Sequence, residues 1–286
     1  MTKSDSLRMP IQRIGTLIQT SPALRGTLYF GSVIVVFESA FRLQNRASPY
    51  ANELMHLTAS PMIGALTIAY KRLRANDQSS LLTLSRKARM LEYGFALGSS
   101  TYLMWLITLT ANGWASLPAW GWHRNSLQAV TYALFVNTLG HLAVAFNEEQ
   151  IFRGYGFDTW RQAVGPVGAA TMLTALFALS HRPTTLAGWS GYATLGMVCT
   201  GLRLIDGSVW LPIGYHWGWN LIQTGILGHE IDRASLRPVI VDGPSAWVGK
   251  TSPETGWITT ILNLIVILGL FLWRRKRTSL KGTPKS

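Results

Sequence analysis

The chain has 286 residues, a positive mean hydropathy and 12 Trp, and only 14% of its residues are charged, where a soluble domain carries about a quarter. That balance excludes an ordinary soluble enzyme, and the formal net charge of +13 does not point to nucleic acid, because the basic residues gather at the chain ends and in one connection between apolar runs, as membrane topology requires. A single cysteine, Cys199 in an apolar run, excludes a disulfide framework and a cysteine-rich metal site and reads as core packing.

A spanning helix needs about 20 mostly apolar residues. Eight runs approach that length, at residues 26–43, 54–70, 93–111, 126–148, 165–181, 189–205, 208–228 and 255–273. The second and sixth are short and carry polar or small residues, so either could be tilted, re-entrant or buried among the others. The expected fold is therefore all-α: a polytopic transmembrane bundle of about eight spans, one integral membrane domain over 1–286 with a helical core at 126–228. The first apolar run lies well inside the chain and further spans follow it, so no cleavable signal peptide is expected.

Counting basic residues by connection tests the span count. Lys3, Arg8, Arg13 and Arg25 precede the first run; Lys71, Arg72, Arg74, Arg86, Lys87 and Arg89 flank the second connection; Arg274 to Arg277, Lys281 and Lys285 follow the last run. With eight spans all three groups fall on one side. The intervening connections hold few, with Arg42 and Arg46, then Arg124, then Arg182. Both termini are thus expected on the cytoplasmic side of a bacterial cytoplasmic membrane. Loop 229–254 is mixed in charge, with Glu230, Asp232, Arg233, Arg237, Asp242, Lys250 and Glu254, and is expected on the other side. A thiol probe at Ser80 should then react from the cytoplasm and one at Ser245 from the opposite face. No internal repeat appears, which argues against an inverted-repeat transporter.

The fourth run ends in NEEQIFR, Asn147 to Arg153. Charges at the end of an apolar run must be paired, neutralised or hydrated, so they mark a candidate site. On a helix Glu149 and Arg153 sit four residues apart with the acid first, the favourable order for an ion pair. Glu148 points about 100° away, shares a face with Phe152, and is left available for chemistry. Read alone, the stretch is equally a solvated helix end.

Two further polar clusters interrupt apolar runs. FALSH sets Phe177 and His181 one turn apart, and HWGWN does the same for His216 and Asn220. Pro212, four residues before His216, removes a backbone donor and should kink or loosen that helix. Taken singly, an intramembrane histidine is more often a hydrogen-bonded core residue, and His56 and His141 read as such; His141 shares a helical face with Glu148.

Together, EEQIFR from Glu148, FALSH from Phe177 and HWGWN from His216 resemble the CAAX protease and bacteriocin-processing (ABI) family of intramembrane proteases. Its pattern is E-E-x-x-x-R, F-x-x-x-H and H-x-x-x-N on successive membrane helices. FRGYGF continues the first motif and a Gly-Ser-Val-Trp-Leu-Pro approach precedes the third. The resemblance covers about residues 130–225; the first three runs, the last run and loop 229–254 lie outside it.

The resemblance implies an endopeptidase cleaving a membrane-associated peptide or protein near the cytoplasmic face, either a prenylated C-terminal tail or a leader or sorting peptide. Hydrolysis by activated water needs a base, a water holder and donors for the developing oxyanion. Glu148 is the candidate base, His181 the residue that orients or helps deprotonate the water, and His216 and Asn220 the oxyanion donors. Glu149, Arg153 and Phe177 would support the site, the arginine holding the second acid. No serine or cysteine nucleophile signature appears. A zinc ion on Glu148, His181 and His216 is the alternative, since two histidines and a glutamate suffice as catalytic ligands; no H-E-x-x-H is present. Two other classes compete: a non-catalytic immunity or scaffold protein of the same fold, and an ion-coupled transporter.

The mechanism carries a geometric requirement. If the fourth helix ended at Gly154 to Gly156 and the fifth ran straight across, Glu148 and His181 would lie near opposite faces. If the chain instead turns at Gly165 and Pro166, Glu148 lies 17 residues before the turn and His181 lies 16 after it, and antiparallel packing brings them level. The catalytic groups should then converge within about 8 Å on one water-accessible cavity opening toward the cytoplasm or the adjacent lipid.

Overall fold

The computed structural model describes residues 16–44, 48–73, 83–228, 235–249 and 252–281, with side chains through 276. Within them the fold is carried by α1 (Pro22–Arg42), α2 (Ala51–Arg72), α3 (Leu84–Ala111), α4 (Leu127–Glu149), α5 (Gly156–Ser180), α6 (Leu186–Asp206), α7 (Trp210–Asn220) and α8 (Trp257–Lys281). Each falls on one of the eight apolar runs. π-helical turns at Gln150–Tyr155 and Leu221–Ile226 link α4 to α5 and extend α7. Among the described residues, three helical segments are long and apolar enough to cross a membrane by length and composition: Pro22–Arg42, Leu127–Ser180 and Trp257–Lys276. The architecture is thus all-α. Of the charged residues counted above, Lys3, Arg8, Arg13, Arg46, Arg74, Glu230, Asp232, Arg233, Lys250 and Lys285 lie outside the described residues, as do the probe position Ser80 and the side chains of Arg277 and Lys281.

Helix starts follow from local chemistry. Ser21, Thr83, Ser126 and Thr185 are N-caps whose hydroxyls accept from the backbone N–H of Leu24, Arg86, Ala129 and Gly188, satisfying donors that the first turn leaves unpaired. α6 ends on Gly207 at φ 75°, a left-handed cap that a Cβ disfavours. Pro212 does not kink α7. It sits in the first turn, where its missing N–H would have no intrahelical partner, and the irregularity lies downstream in the π turn.

Two features place the site. α3 and α7 run parallel along a glycine seam: a Cβ on Gly94 would lie 2.1 Å from the Leu211 carbonyl, on Gly98 1.9 Å from Tyr215 O, on Gly214 2.1 Å from Leu91 O and on Gly218 2.3 Å from Phe95 O. Gly94 and Gly98, and Gly214 and Gly218, are each four apart, the small-residue spacing that lets membrane helices touch backbone to backbone. The second feature is an elbow. Gly165 takes φ 75°, ψ 168°, open to glycine and incompatible with helix, and Pro166 after it disfavours helical geometry at that position. The chain reverses there, which is the turn the mechanism requires.

The bundle has two distinct ends. At one, Arg203 donates to the Arg153 carbonyl and pairs with Asp158 at 3.0 and 3.2 Å, Arg86 reaches Asp206, and Tyr155 donates to the Tyr70 carbonyl. At the other, Ala115–Ser116 pairs antiparallel with Ile240–Val241, with Ala115 opposite Val241, a short ladder not expected from the apolar pattern. Arg237 there donates to the Leu117 carbonyl and lies over the Trp120 ring. Cys199 is buried in the main core, as read.

Candidate active site

EEQIFR opens at the last turn of α4 and runs into the π turn. The non-helical backbone of Gly154 (φ −90°, ψ −117°) interrupts the ladder, and the Arg153 carbonyl accepts instead from Arg203 Nε at 2.9 Å. Adjacent glutamates therefore meet opposite surroundings. Glu149 and Arg153 are both wholly buried. Arg153 Nη1 donates to Glu149 Oε1 at 3.2 Å and Nη2 to the Gly196 carbonyl at 3.0 Å, while its guanidinium lies 4.3 Å from the Phe177 ring centre. Gly196 leaves room for this; a Cβ there would stand 3.0 Å from Arg153 Nη2.

Glu148 faces the other way, into a cavity of about 860 Å³ whose wall includes His181, His216 and Asn220. Its Oε2 lies 3.9 Å from His181 Nε2 and makes no hydrogen bond. His181 caps α5; its Nδ1 is 2.8 Å from the Phe177 carbonyl, which only accepts, so the proton sits on Nδ1 and Nε2 is the nitrogen turned to Glu148. Tyr192 stacks on the imidazole at 4.3 Å. A water about 2.8 Å from both Nε2 and Oε2 would sit at the apex of a triangle with an angle of about 90°, within hydrogen-bonding range of each. Phe177, wholly buried, holds the cluster together, with its ring against Phe152, His181 and His216.

His216 is placed by an interaction the spacing did not suggest. Its Nδ1 lies 3.0 Å from Glu149 Oε1, the oxygen that also accepts from Arg153. Nδ1 therefore donates, and only Nε2 is left for the cavity. Glu149 is thus more than the arginine's partner: it orients the third motif. No sequence signal linked residue 149 to residue 216; α4 and α7 meet directly, with Trp217 Nε1 also donating to the Thr138 carbonyl at 3.0 Å.

Other groups in the wall escaped the motifs. Glu53 lies within the first turn of α2, 3.8 Å from His141 Nε2. Asn147 donates to the His56 carbonyl at 2.9 Å and lies 3.3 Å from His56 Nδ1. Both histidines are buried as read, yet they line the cavity. Glu254 is only 5% exposed, accepts from Trp219 Nε1 and Ser252, and also lines it. Among the described residues no group of three or more His, Cys, Asp or Glu side chains is disposed to hold a metal ion.

One expectation needs correcting. The cavity reaches Asn52, Glu53, Arg182, Ser252 and Glu254, the end of the bundle that carries the 115–116/240–241 ladder rather than the end that carries Arg86, Arg161 and Arg203. A site near the cytoplasmic face and a cytoplasmic start of α1 and end of α8 therefore exclude each other, because the two lie at opposite ends of the same helices.

Residues 129–222 match the family model described as type II CAAX prenyl endopeptidase Rce1-like. Comparisons with characterised proteins and with solved structures give no match. The matched span encloses all three motifs and the helices that bring them together, and over it the chain is similar to that family.

Proposed function

We propose that the protein is an intramembrane endopeptidase that hydrolyses a peptide bond of a membrane-associated peptide or protein with a water activated by Glu148, and that all eight helices cross the bilayer. The observation that carries this reading is the 3.9 Å approach of Glu148 to His181 in a cavity shared with His216 and Asn220. Glu148 takes a proton from the water as its oxygen attacks the scissile carbonyl; His181 Nε2 holds the water in line. Asn220 donates to the oxyanion from its amide, and His216, oriented by its Nδ1–H bond to Glu149, from a protonated Nε2. The proton on Glu148 then passes to the leaving amine, which closes the cycle with no covalent intermediate.

The test is a proteolysis assay in detergent on a substrate found by comparing membrane-peptide profiles with and without the active protein, with Glu148→Ala as control. Equal cleavage by parent and variant would sink the proposal.

A further inference from the structure

We infer that the cavity is reached from the non-cytoplasmic side and from the adjoining lipid, so that the substrate is a membrane-anchored chain whose cleavable segment lies beyond the membrane, not a cytoplasmic tail. The substrate half of this inference rests on the peptidase reading above; the sidedness does not.

Three observations converge on it. The first is where the polar wall sits. Asn52 and Glu53 belong to the first turn of α2, His181 caps α5, Gln223 and Thr224 lie in the π turn after α7, and Glu254 precedes α8. All six residues mark one end of the bundle.

The second is the charge at the opposite end. Lys71 and Arg72 close α2, Arg86, Lys87 and Arg89 open α3, Arg161 precedes the elbow, Arg203 closes α6 and Arg274 to Lys276 lie toward the end of α8. These meet at one face: Tyr155 bonds Tyr70, Arg203 bonds Arg153 and Asp158, Arg86 bonds Asp206, and a Cβ on Gly201 would stand 3.4 Å from Leu270. At the cavity end the described basic residues are Arg42, Arg124, Arg182 and Arg237, with Glu38, Glu53, Asp242 and Glu254 beside them. Lysine and arginine in short connections stay on the cytoplasmic side, so the basic end is inside and the cavity end outside.

The third is a floor. Between Glu148 and the basic end the interior is closed by aromatic rings: Phe177 against Phe152 at 5.4 Å, Phe152 against Phe30 at 6.0 Å, and Tyr155 against Tyr29 at 4.7 Å and Tyr70 at 5.9 Å. Tyr29 and Tyr155 are buried and Tyr29 bonds Thr67. A peptide cannot thread this layer from the basic end. The wall is instead open where Ile34 and Leu176, 68% and 38% exposed, face outward between α1 and α5, which suits a chain arriving through lipid.

Sidedness is read with single-thiol variants, because Cys199 is buried and the sequence holds no other cysteine. Asn52→Cys in the cavity rim, Ser245→Cys at the same end and Ser85→Cys at the basic end are labelled with a membrane-impermeant maleimide in intact cells and in inverted vesicles. We expect Asn52→Cys and Ser245→Cys to label in cells and to lose labelling in inverted vesicles, with Ser85→Cys the reverse. The opposite pattern, or Asn52→Cys labelling with Ser85→Cys, overturns the inference. The substrate half is read with two single-span reporters carrying a randomised juxtamembrane segment on the outer or the inner side. Cleavage of the outer reporter, lost in Glu148→Gln, supports it; cleavage of the inner one alone overturns it. The expected labelling with neither reporter cut overturns the substrate half through the peptidase reading and leaves the sidedness standing.

Discussion

The two faces of the last turn of α4 differ more than their sequence does. Glu149 looks into a dry region where its Oε1 accepts from both Arg153 and His216 while its Oε2 is buried without a hydrogen bond. Glu148, one residue earlier, looks into a cavity where its Oε2 has no hydrogen bond. The difference teaches that a carboxylate pair divides labour by surroundings: the side tied to a buried cation and an imidazole holds shape, and the side that faces a cavity is free to bind water.

The sharpest way to break this comparison is to perturb each face in turn. Glu148→Gln should lower activity by about a hundred- to ten-thousand-fold while thermal stability stays at the parent value, measured by cleavage assay and by unfolding in detergent. A stability loss as large as the activity loss would erase the distinction between the faces. On the dry face, Arg153→Ala should cost about 3 to 5 kcal/mol, because it leaves Glu149 buried without its cation, and should reduce folded yield together with activity. An inactive Arg153→Ala protein of normal stability would move the arginine into the reacting group.

Gly98→Ile probes the support behind both faces. Its Cβ would meet the Tyr215 carbonyl at 1.9 Å, so α7 must move and carry His216 away from Glu149; a destabilisation of about 1 to 3 kcal/mol is expected, with activity falling further than stability alone explains. A smaller effect is expected on the wet face, where Tyr192→Leu removes the stack on His181. Such ring pairs contribute about 0.5 to 1.5 kcal/mol, so a loss of up to about tenfold in kcat/KM should appear with normal folding. The smallest expected effect is none: exhaustive chelation should leave activity unchanged. Loss on chelation with recovery on adding Zn²⁺ would replace the water-activating glutamate with a metal on Glu148, His181 and His216.

The positions of the helices were legible because apolar run length and breaker residues are local properties; all eight runs correspond to helices, with ends shifted by up to nine residues where Leu84–Ala111 and Gly156–Ser180 start before the apolar run. The motif residues were legible for a related reason, since a polar group inside an apolar run is costly and stands out. The Glu149 to His216 contact, the burial of Glu254 and the position of Glu53 were not, because each depends on how two distant helices meet. The glycine seam could have been read from the spacing of Gly94 with Gly98 and of Gly214 with Gly218, but spacing does not say which helix answers which. The end at which the cavity lies was hidden in the same way: His181 closes the fifth apolar run, and its height follows from the elbow at Gly165 and the cap after Ser180.

That elbow also bears on how the protein is made. Leu127 to Ser180 is one 54-residue apolar stretch folded back on itself at a single glycine, so Glu148 and His181 belong to one helical hairpin that can enter the membrane as a unit. His216 is translated some 35 residues later and reaches its place only when α7 docks along α3. During synthesis Glu148 and His181 can therefore meet before His216 and Asn220 arrive, so that, on the proposed reading, the site is completed only with the bundle.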